Sequence, residues 1–436
     1  MMGNRYDKYK DSGIAWIGEI PEHWKVCKLS TLFFQHKQKN NDTQESNLLS
    51  LSYGNIKRKD INTSEGLLPE SFENYNIIDK DDIVFRLTDL QNDKRSLRSA
   101  LCKERGIITS AYIVIRKRSN LNSSYFNHLF RAYDECKVFY GLGEGVRQGM
   151  NYDDLRNLEI LLPEQTIQQS IAAYLDQKCG EIDELITLQE EMITKLQSYK
   201  QSVITEAVTK GLDKNVPLKD SGIEWIGEIP KHWEASKTLF VLSMSITDGP
   251  HTTPELFETG IPFVSAEAVS FGNGRIDFSH IRGYISEIFY QECCKKYIPQ
   301  IDDIYMIKSG ATTGRVAIVD ADIKFTIWSP LAVFRCNKER MLPRFLFYQL
   351  QSNGYQKQIE LNWSYGTQQN IGMRTLEKLI LSVPPLPEQY SIADYLDKKC
   401  SEIDELISIK QQKIEKLKEY KKSLIFECVT GKRKVS

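Results

Sequence analysis

Basic and amide side chains are the residues of this 436-residue chain with the clearest chemistry, and one group lies in its first third. Such side chains grip phosphates and read the edges of guanine and adenine in DNA. The candidates are Lys57, Arg58, Lys59, Arg86, Gln91, Asn92, Lys94, Arg95 and Arg98. Residues 25–160 hold 21 basic and 18 acidic residues, a net charge of +3. We therefore predict a DNA-contacting surface here, with a solvated loop as the alternative at each position.

A second group of polar residues lies in glycine-bearing loops between residues 234 and 383, where 15 basic and 15 acidic residues balance. Glycine lets a backbone approach a DNA groove closely. The candidates are Thr247, His251, Lys308, Thr312, Thr313, Arg315, Tyr365, Gln368, Gln369 and Asn370. We predict DNA contacts from these loops, and ordinary hairpin turns are the alternative.

Catalytic and metal-binding motifs are not recognisable in the sequence. Residues 310–315 (GATTGR) are too short for a phosphate-binding loop and lack its lysine. The six histidines are scattered, and the nine cysteines form no Cys-x-x-Cys pair, which is typical of reduced thiols. We expect no catalytic residue, no metal and no cofactor on this chain.

The charge and hydropathy patterns exclude other classes of protein. Lys and Arg total 57 against 58 Asp and Glu, which excludes a histone-like basic protein but not a binder with one basic face. No run of 18 apolar residues predicts a transmembrane helix. The N-terminal ten residues are polar and lack an apolar signal core, so we expect a cytoplasmic protein.

The sequence contains an internal repeat, and the repeated elements must position the candidate residues. Residues 11–24 (DSGIAWIGEIPEHW) match residues 220–233 at 12 of 14 positions, and residues 170–210 match residues 391–431 at 24 of 41. The intervening segments diverge. The unit is a short Trp-containing motif, a variable segment and a long helix, which indicates an internal pseudo-two-fold molecule.

The longer repeat predicts two coiled-coil helices of about 60 Å that pair antiparallel. Residues 163–211 hold 4 basic and 8 acidic residues, and residues 385–436 hold 11 and 9, so their net charges of −4 and +2 are complementary. The predicted a and d positions are Leu175, Ile182, Leu185, Met192, Leu196 and Tyr199, with Leu396, Ile403, Leu406, Leu417, Tyr420 and Leu424 in the second copy. Two independent helices, each lying on its own domain, are the alternative.

The variable segments predict mixed helices and strands. Strands are expected at residues 82–87, 107–116, 303–307, 316–320 and 331–335, and helices at residues 125–140 and 342–351.

In combination these features resemble the DNA-specificity subunits of type I restriction–modification systems. Each variable segment follows an Ile-Gly-Glu-Ile-Pro-x-His-Trp motif, at residues 17–24 and 226–233. Each helix follows a Leu-Pro-Glu-Gln entry, at residues 162–165 and 386–389, although the first entry lies three residues earlier in ungapped alignment. The resemblance covers essentially the whole chain.

The resemblance implies an α+β fold, in which two mixed α/β target recognition domains are separated by two long antiparallel conserved helices. It divides the chain into an N-terminal motif (residues 1–24), a first recognition domain (25–162), a central spacer helix (163–211), a linker with the repeated motif (212–233), a second recognition domain (234–384) and a distal spacer helix (385–436). The helices would act as a ruler between two half-sites about one DNA turn apart.

The resemblance also implies a non-catalytic function. The chain would recognise a bipartite asymmetric target in double-stranded DNA and direct two modification (methyltransferase) subunits and the restriction/translocase subunits to it. S-adenosylmethionine, ATP and Mg would bind those partners. The alternatives are a self-contained DNA methyltransferase or nuclease, and a two-domain scaffold that binds proteins.

Overall fold

The computed structural model describes residues 5–61, 71–88, 90, 97–141, 149–365 and 368–435. The chain forms two compact units. The first unit comprises residues 1–190 and 411–436, and the second comprises residues 191–410. Each unit contains one variable segment together with half of each long helix.

The first unit is built from short strands, three short helices and parts of the two long helices. Its strands are β1 (Tyr9–Asp11), β2 (Glu19–Pro21), β3 (Lys25–Lys28), β4 (Phe33–Gln35), β5 (Leu49–Ser52), β6 (Asn55–Arg58), β7 (Asn76–Ile78), β8 (Ile83–Phe85), β9 (Ser99–Leu101), β10 (Gly106–Ile108), β11 (Ile113–Lys117) and β12 (Glu159–Leu162). Its shorter helices are α1 (Leu29–Leu32), α2 (Ser123–Glu135) and α3 (Tyr152–Leu155), and the first long helix is α4 (Gln165–Lys210).

The second unit has a comparable set of elements. Its strands are β13 (Leu218–Asp220), β14 (Glu228–Pro230), β15 (Glu234–Lys237), β16 (Thr247–Asp248), β17 (Ile261–Val264), β18 (Tyr284–Ile285), β19 (Ile304–Ile307), β20 (Val316–Ile318), β21 (Thr326–Ile327), β22 (Leu331–Phe334), β23 (Ser364–Tyr365), β24 (Gln369–Asn370) and β25 (Ile380–Val383). Its helices are α5 (Ala266–Phe271), α6 (Glu287–Cys294), α7 (Pro343–Gln351), α8 (Asn353–Asn362), α9 (Met373–Lys378) and α10 (Leu386–Val429).

The two units share one strand topology, although their variable segments barely align. A four-stranded antiparallel sheet has the order β4-β11-β8-β9 in the first unit and β16-β22-β19-β20 in the second. A two-stranded sheet joins the start of each variable segment to its end, as β3-β12 and β15-β25. The additional sheets differ: the first unit adds the β5–β6 hairpin and the β7–β10 pair, and the second adds a three-stranded sheet of β18, β17 and β21 and the β23–β24 hairpin. The structure confirms the α+β class and the duplication.

A buried arginine–aspartate pair stands at the same place in both sheets. Arg116 donates from Nε and Nη2 to the two carboxylate oxygens of Asp82, each at 2.7 Å. Arg335 binds Asp303 in the same way, also at 2.7 Å. Both aspartates are 1% exposed. Each pair ties the start of one central strand to the end of its neighbour.

An equivalent glutamine near the start of each long helix, Gln168 in α4 and Gln389 in α10, connects the helix to the variable segment through its side chain. The Gln168 carbonyl accepts from the Asn122 backbone N at the start of α2, and its amide donates to the Pro163 carbonyl. Gln389 repeats both bonds, to Leu342 N and the Pro384 carbonyl. The orientation of each helix entry is thereby fixed.

The long helices pair antiparallel within each unit, as predicted. In the first unit Lys421 binds Asp183 at 2.7 Å, while Cys179, one turn earlier, lies near Cys428. In the second unit Lys200 binds Asp404 at 2.7 Å, and Lys410 Nζ lies 3.2 Å from the Met192 sulfur. The two ion pairs are equivalent through the repeat offset of 221 residues.

The predicted helix register was partly wrong. Leu185, Met192, Tyr199, Leu406 and Tyr420 are all at least 36% exposed. The face that is buried or half-buried follows a 4-3 spacing along Leu175, Cys179, Ile182, Ile186, Gln189, Ile193, Leu196, Lys200 and Val203, and along Leu396, Cys400, Ile403, Ile407, Lys410, Ile414, Leu417, Lys421 and Leu424.

The physical reason for the shift lies in the two lysines of this face. Lys200 and Lys421 pack their aliphatic stems at the helix contact while their ammonium groups reach Asp404 and Asp183. Leucine and tyrosine one position away look more apolar in sequence but point outward. Of the other predicted core positions, Leu175, Ile182, Leu396, Ile403 and Leu424 are buried, and Leu196 and Leu417 are half-buried.

Two other predicted elements are divided in the structure. The strand expected at residues 107–116 is β10 and β11, because a turn closed by Tyr112 N and the Thr109 carbonyl separates them and each joins a different sheet. The helix expected at residues 125–140 ends at Glu135, and Lys137 has a positive φ of 60° before a short 3-10 turn at Val138–Gly141.

Each Trp motif closes the C-terminal end of a long helix. Trp24 and Trp233 are fully buried. A Cβ at Gly431, just beyond α10, would lie 3.3 Å from the Trp24 ring, and one at Gly211, just beyond α4, would lie 3.2 Å from the Trp233 ring. Both glycines have φ above 70°, as expected for residues that end a helix.

Among the described residues, no helix combines the length and the apolar composition needed to cross a membrane.

Candidate nucleic-acid interface

The first unit has an open cleft of about 630 Å³ beside the β5–β6 hairpin. Two of the sequence candidates, Lys59 and Arg86, line it. Apart from Leu51 and Ala111, the other lining residues are hydroxylated or aromatic: Ser50, Ser52, Tyr53, Thr88, Thr109 and Tyr112. Cations interleaved with aromatic rings and hydroxyl groups are suited to a sugar–phosphate backbone and its bases.

Strand ends position the two cations of this cleft. Arg86 follows β8, and its backbone N donates to the Arg98 carbonyl at 2.8 Å. Lys59 follows β6, and its backbone N donates to the Leu48 carbonyl at 2.8 Å. Within the described part of the chain, neither side chain lies within ion-pair distance of a carboxylate. Their charge is therefore available to a phosphate.

The other candidates on the hairpin behave differently. Lys57 is exposed on β6. Arg58 is also exposed, but its guanidinium binds both oxygens of Glu104, and this contact raises the pKa of Arg58 and lowers that of Glu104. A phosphate would have to compete with Glu104 for Arg58.

The prediction for Arg98 is wrong, because its side chain is fully buried. Its guanidinium donates to the Thr88 carbonyl at 3.1 Å, and its backbone N donates to Asp134. Burial raises the pKa of Asp134 to about 6, against the effect of that hydrogen bond. Arg98 therefore supports Thr88, which lines the cleft, and its buried side chain does not contact a groove.

Four candidates lie outside the described residues and stay predictions: Gln91, Asn92, Lys94 and Arg95. Tyr365 lies in β23, but its side chain is also outside the description.

The second unit has its own cleft, of about 650 Å³, at the end of the four-stranded sheet. Thr312, Arg315 and Gln368 from the sequence candidates line it. Ser270 on α5 holds the loop that carries the first two, because its hydroxyl donates to Thr312 Oγ1 at 3.2 Å and its carbonyl accepts from Arg315 Nη1 at 3.2 Å. The loop is therefore fixed by side-chain contacts as well as by its turns.

Aromatic and cationic residues that the sequence did not single out complete this cleft. Arg282 lies over the Trp328 ring at 4.7 Å from its centre. Phe271 is 64% exposed and stacks on His280, with 4.4 Å between ring centres. Glu267 adds the one carboxylate of the lining. Burial opposes its ionisation, but bonds from Ser265 and Arg282 hold its pKa below the ordinary value.

Three other candidates stabilise the loops of this cleft. Thr313 Oγ1 donates to the Gly310 carbonyl at 2.7 Å, which closes the turn. The Gln369 carbonyl accepts from Gly310 N at 3.0 Å, and Asn370 forms a bridge with Ser309. The β23–β24 hairpin is thus pinned against the loop, which brings Gln368 to the cleft.

Lys308 is directed toward a buried carboxylate and not toward a groove, contrary to the prediction. Its side chain is 12% exposed, and its ammonium lies 3.3 Å from the carboxylate of Asp248, which also binds Lys296 and His251. Burial would raise the pKa of Asp248, but Lys296 and Lys308 hold it below the ordinary value. Thr247 is half-buried on β16, and His251 is 73% exposed at the loop surface.

One group of three possible metal ligands occurs within the described residues: His36, Asp79 and Asp82. Arg116 binds both aspartates, and Arg105 binds Asp79 at 2.8 Å. These guanidinium groups already supply the positive charge that a metal would bring, so the cluster is a structural ion-pair network.

Comparison with known proteins shows which families and folds this chain resembles. Residues 250–419 match the family model of the type I restriction modification DNA specificity domain. Over 96% of both chains, the sequence is 26% identical to a protein named as the MjaX type I restriction enzyme specificity subunit of Methanocaldococcus jannaschii. It is 24% identical to the MjaVIII specificity subunit of the same organism, over 76% of this chain and 75% of that protein.

A solved structure described as part of a type I R-M system covers 94% of this chain and 99% of its own, with a TM-score of 0.68 and 18% identity. That likeness concerns the fold.

Proposed function

We propose that this chain is a DNA-specificity subunit of a type I restriction–modification system, and that each of its two units reads one half of a bipartite, asymmetric DNA target. One observation supports this proposal: the two units share a strand topology, but their clefts have different linings. Lys59, Arg86 and Tyr112 line the cleft of one unit, and Arg282, Arg315 and Gln368 line the cleft of the other. Different linings on the same scaffold favour different half-sites.

The chain's own role is non-catalytic, and the chemistry belongs to partner subunits. We propose that two modification (methyltransferase) subunits bind the long helices and that restriction/translocase subunits join them. S-adenosylmethionine would bind the modification subunits, and ATP and Mg the restriction/translocase subunits. The complex would act in the cytoplasm, where the cellular DNA is.

The long helices have two equivalent exposed faces, which is evidence for a pair of identical partners. The first unit exposes Leu185, Leu188 and Tyr420, and the second exposes Leu406, Ile409 and Tyr199, which are their counterparts in the repeat. Exposed apolar side chains of this size, grouped on one pair of helices, are typical of protein–protein contacts. Two such faces of matching composition suit two copies of one partner.

DNA binding by the isolated chain tests this division of labour. With a near-neutral net charge of −1, the chain alone should bind its target weakly and lose that binding steeply as salt rises. The assembly with modification subunits should bind far more tightly in the same gel-shift salt series. Equal affinity would contradict the proposal, and so would methyl transfer by the purified chain alone with S-adenosylmethionine.

Replacing Arg315 by alanine should weaken binding of the assembly to its target by about 1–3 kcal/mol, the usual value of one base-reading arginine. Recognition should relax in the second half-site only, because Arg315 lies in the second cleft. Arg275→Ala is the matched control, since Arg275 is exposed in the same unit but binds Asp320 outside the cleft. Methylation mapping that shows a changed first half-site would contradict the assignment.

Helix length gives a second expectation. The helices α4 and α10, of 46 and 44 residues, each begin in one unit and end in the other. We expect that a one-turn insertion in both helices lengthens the unread gap of the target and leaves both half-sites unchanged. Altered half-site bases in methylation mapping would contradict the role of these helices as a ruler.

A further inference from the structure

The turn of the β5–β6 hairpin holds an aromatic residue in a conformation that suits it poorly. Tyr53 has a φ of 46° and Gly54 a φ of 72°, while Ser52 pairs with Asn55 across the turn. Two consecutive left-handed residues make the hairpin turn that asparagine, aspartate and glycine favour. A bulky side chain there is an outlier.

Burial does not compensate for this backbone strain. Tyr53 is 69% exposed, the highest exposure of any tyrosine in the described residues. A residue that is strained and also unburied contributes little to the fold, and such residues concentrate at functional sites.

The turn is nevertheless held firmly from behind. The Gly54 carbonyl accepts from Nη2 of Arg131, on α2, at 2.8 Å. A Cβ at position 54 would lie 2.6 Å from the same nitrogen and would displace the guanidinium, and the φ of 72° also favours glycine at that position. On the same helix Asp134 accepts from Arg98 N, and the Arg98 guanidinium donates to the carbonyl of Thr88, which lines the cleft. Helix α2 therefore supports the hairpin turn directly and Thr88 through Arg98.

Tyr53 lines that cleft together with Lys59 and Arg86. An exposed ring flanked by cations is the arrangement by which proteins stack on a nucleobase while they hold the neighbouring phosphates. Leu51, on the strand before the turn, is buried in the sheet core, so the hairpin has one face anchored and its turn projecting.

We propose that Tyr53 stacks on a base of the first half-site, at a step that opens when the complex binds DNA. This inference rests on the proposed function. Arg131 and Gly54 are positioning residues, since they fix the turn that presents the ring. In this interpretation the ring of Tyr53 serves the contact with DNA and not the stability of the fold.

Stability and binding should therefore change in opposite directions in one variant, Tyr53→Asn, assayed in the assembly with modification subunits. Asparagine favours the left-handed conformation. The variant should unfold at the same or a higher temperature yet bind the target about 5- to 100-fold more weakly, the range for loss of one base–aromatic stack. Tyr53→Phe keeps the ring and should bind as the natural protein does.

The position of the contact can be read from 2-aminopurine placed along the first half-site. Binding of the assembly that contains the natural chain should raise the fluorescence of 2-aminopurine at one position of the half-site. The Tyr53→Asn substitution should abolish that rise. The variant should leave the salt dependence of binding unchanged, whereas Lys59→Ala should reduce its slope by about one phosphate contact. Gly54→Ala should weaken binding as Tyr53→Asn does, while Gly18→Ala, with φ 68° and open space around it, should not.

Unchanged affinity and unchanged 2-aminopurine signals in Tyr53→Asn would overturn the inference and leave the proposed function standing. If the natural assembly shows no sequence-specific binding at all, the proposed function itself fails.

Discussion

Replacing Asp303 by alanine is expected to lower the free energy of unfolding of the second unit by about 3–5 kcal/mol, the usual cost of removing one partner of a buried ion pair. Asp303 is 1% exposed, and its loss would leave the Arg335 guanidinium, 23% exposed, without its carboxylate. The Asp303 carboxylate also accepts from the backbone N of Gln300 and from the Tyr297 hydroxyl, so three donors lose their acceptor at once.

A neighbouring pair supplies the control for this variant. Lys338 binds Asp302 at the surface, with 66% of the lysine side chain exposed, so Lys338→Ala should cost at most about 1 kcal/mol. Urea unfolding followed by tryptophan fluorescence measures both. Asp82→Ala should repeat the large loss in the first unit, because Asp82 makes the same pair with Arg116. A difference below about 1 kcal/mol between Asp303→Ala and Lys338→Ala would show that the pair does not hold the sheet together.

Trp233→Ala is the second substitution with a large expected effect, about 3–5 kcal/mol for emptying a buried tryptophan site. The ring is fully buried against Gly211, where α4 ends, and its Nε1 donates to Glu388 at the start of α10 at 2.9 Å. One side chain thus joins the ends of both long helices within the second unit. Trp225→Ala, in the same motif but 39% exposed, should cost much less in the same unfolding experiment.

The repeat also predicts an asymmetry between the two motifs. Trp24 Nε1 is buried without a hydrogen-bond partner among the described residues, because Ile167 occupies the position equivalent to Glu388. Trp24→Phe removes an unsatisfied donor, whereas Trp233→Phe removes a satisfied one. The second substitution should therefore be the more destabilising, and the reverse order would contradict the equivalence of the two sites.

The architecture could be predicted from sequence because it depends on repetition, which a single chain displays directly. The helix register was harder to predict, because apolar residues occupy adjacent positions such as 185 and 186 or 192 and 193. The helix register is determined by Lys200 and Lys421. Their position at the helix contact depends on carboxylates more than 200 residues away in sequence. Local periodicity has no information about such partners.

The candidate sites were harder to predict for a related reason. Residue type suggested Arg98 and Lys308 as DNA contacts, but burial against Thr88 and Asp248 assigns them to the framework. Phe271, Arg282 and Trp328 come from three separate segments and meet only in the folded second unit. Tyr53 has one local signal, since a tyrosine-glycine turn between short strands is unusual, but that signal has meaning only once the φ angles are known.

Net charge gives little guidance about DNA contacts in this chain. Its value of −1 includes many carboxylates that pair internally, such as Asp82, Asp303, Asp183 and Asp404. Each cleft, by contrast, has at least two cations in its lining. A specificity subunit that works inside a larger complex must contact the bases and a few neighbouring phosphates, while its partners can supply the remaining phosphate contacts.

The most direct test of the central claim is methylation sequencing of DNA from cells that express this chain with its modification subunits. The measurement is made with the natural chain and again with a chain in which residues 25–162 are replaced by the corresponding segment of a related subunit. The two-reader account predicts a bipartite target whose first half-site changes on replacement while its second half-site and the methylation level stay the same. A target that stays unchanged, or one that changes in both halves, would contradict the assignment of one half-site to each unit.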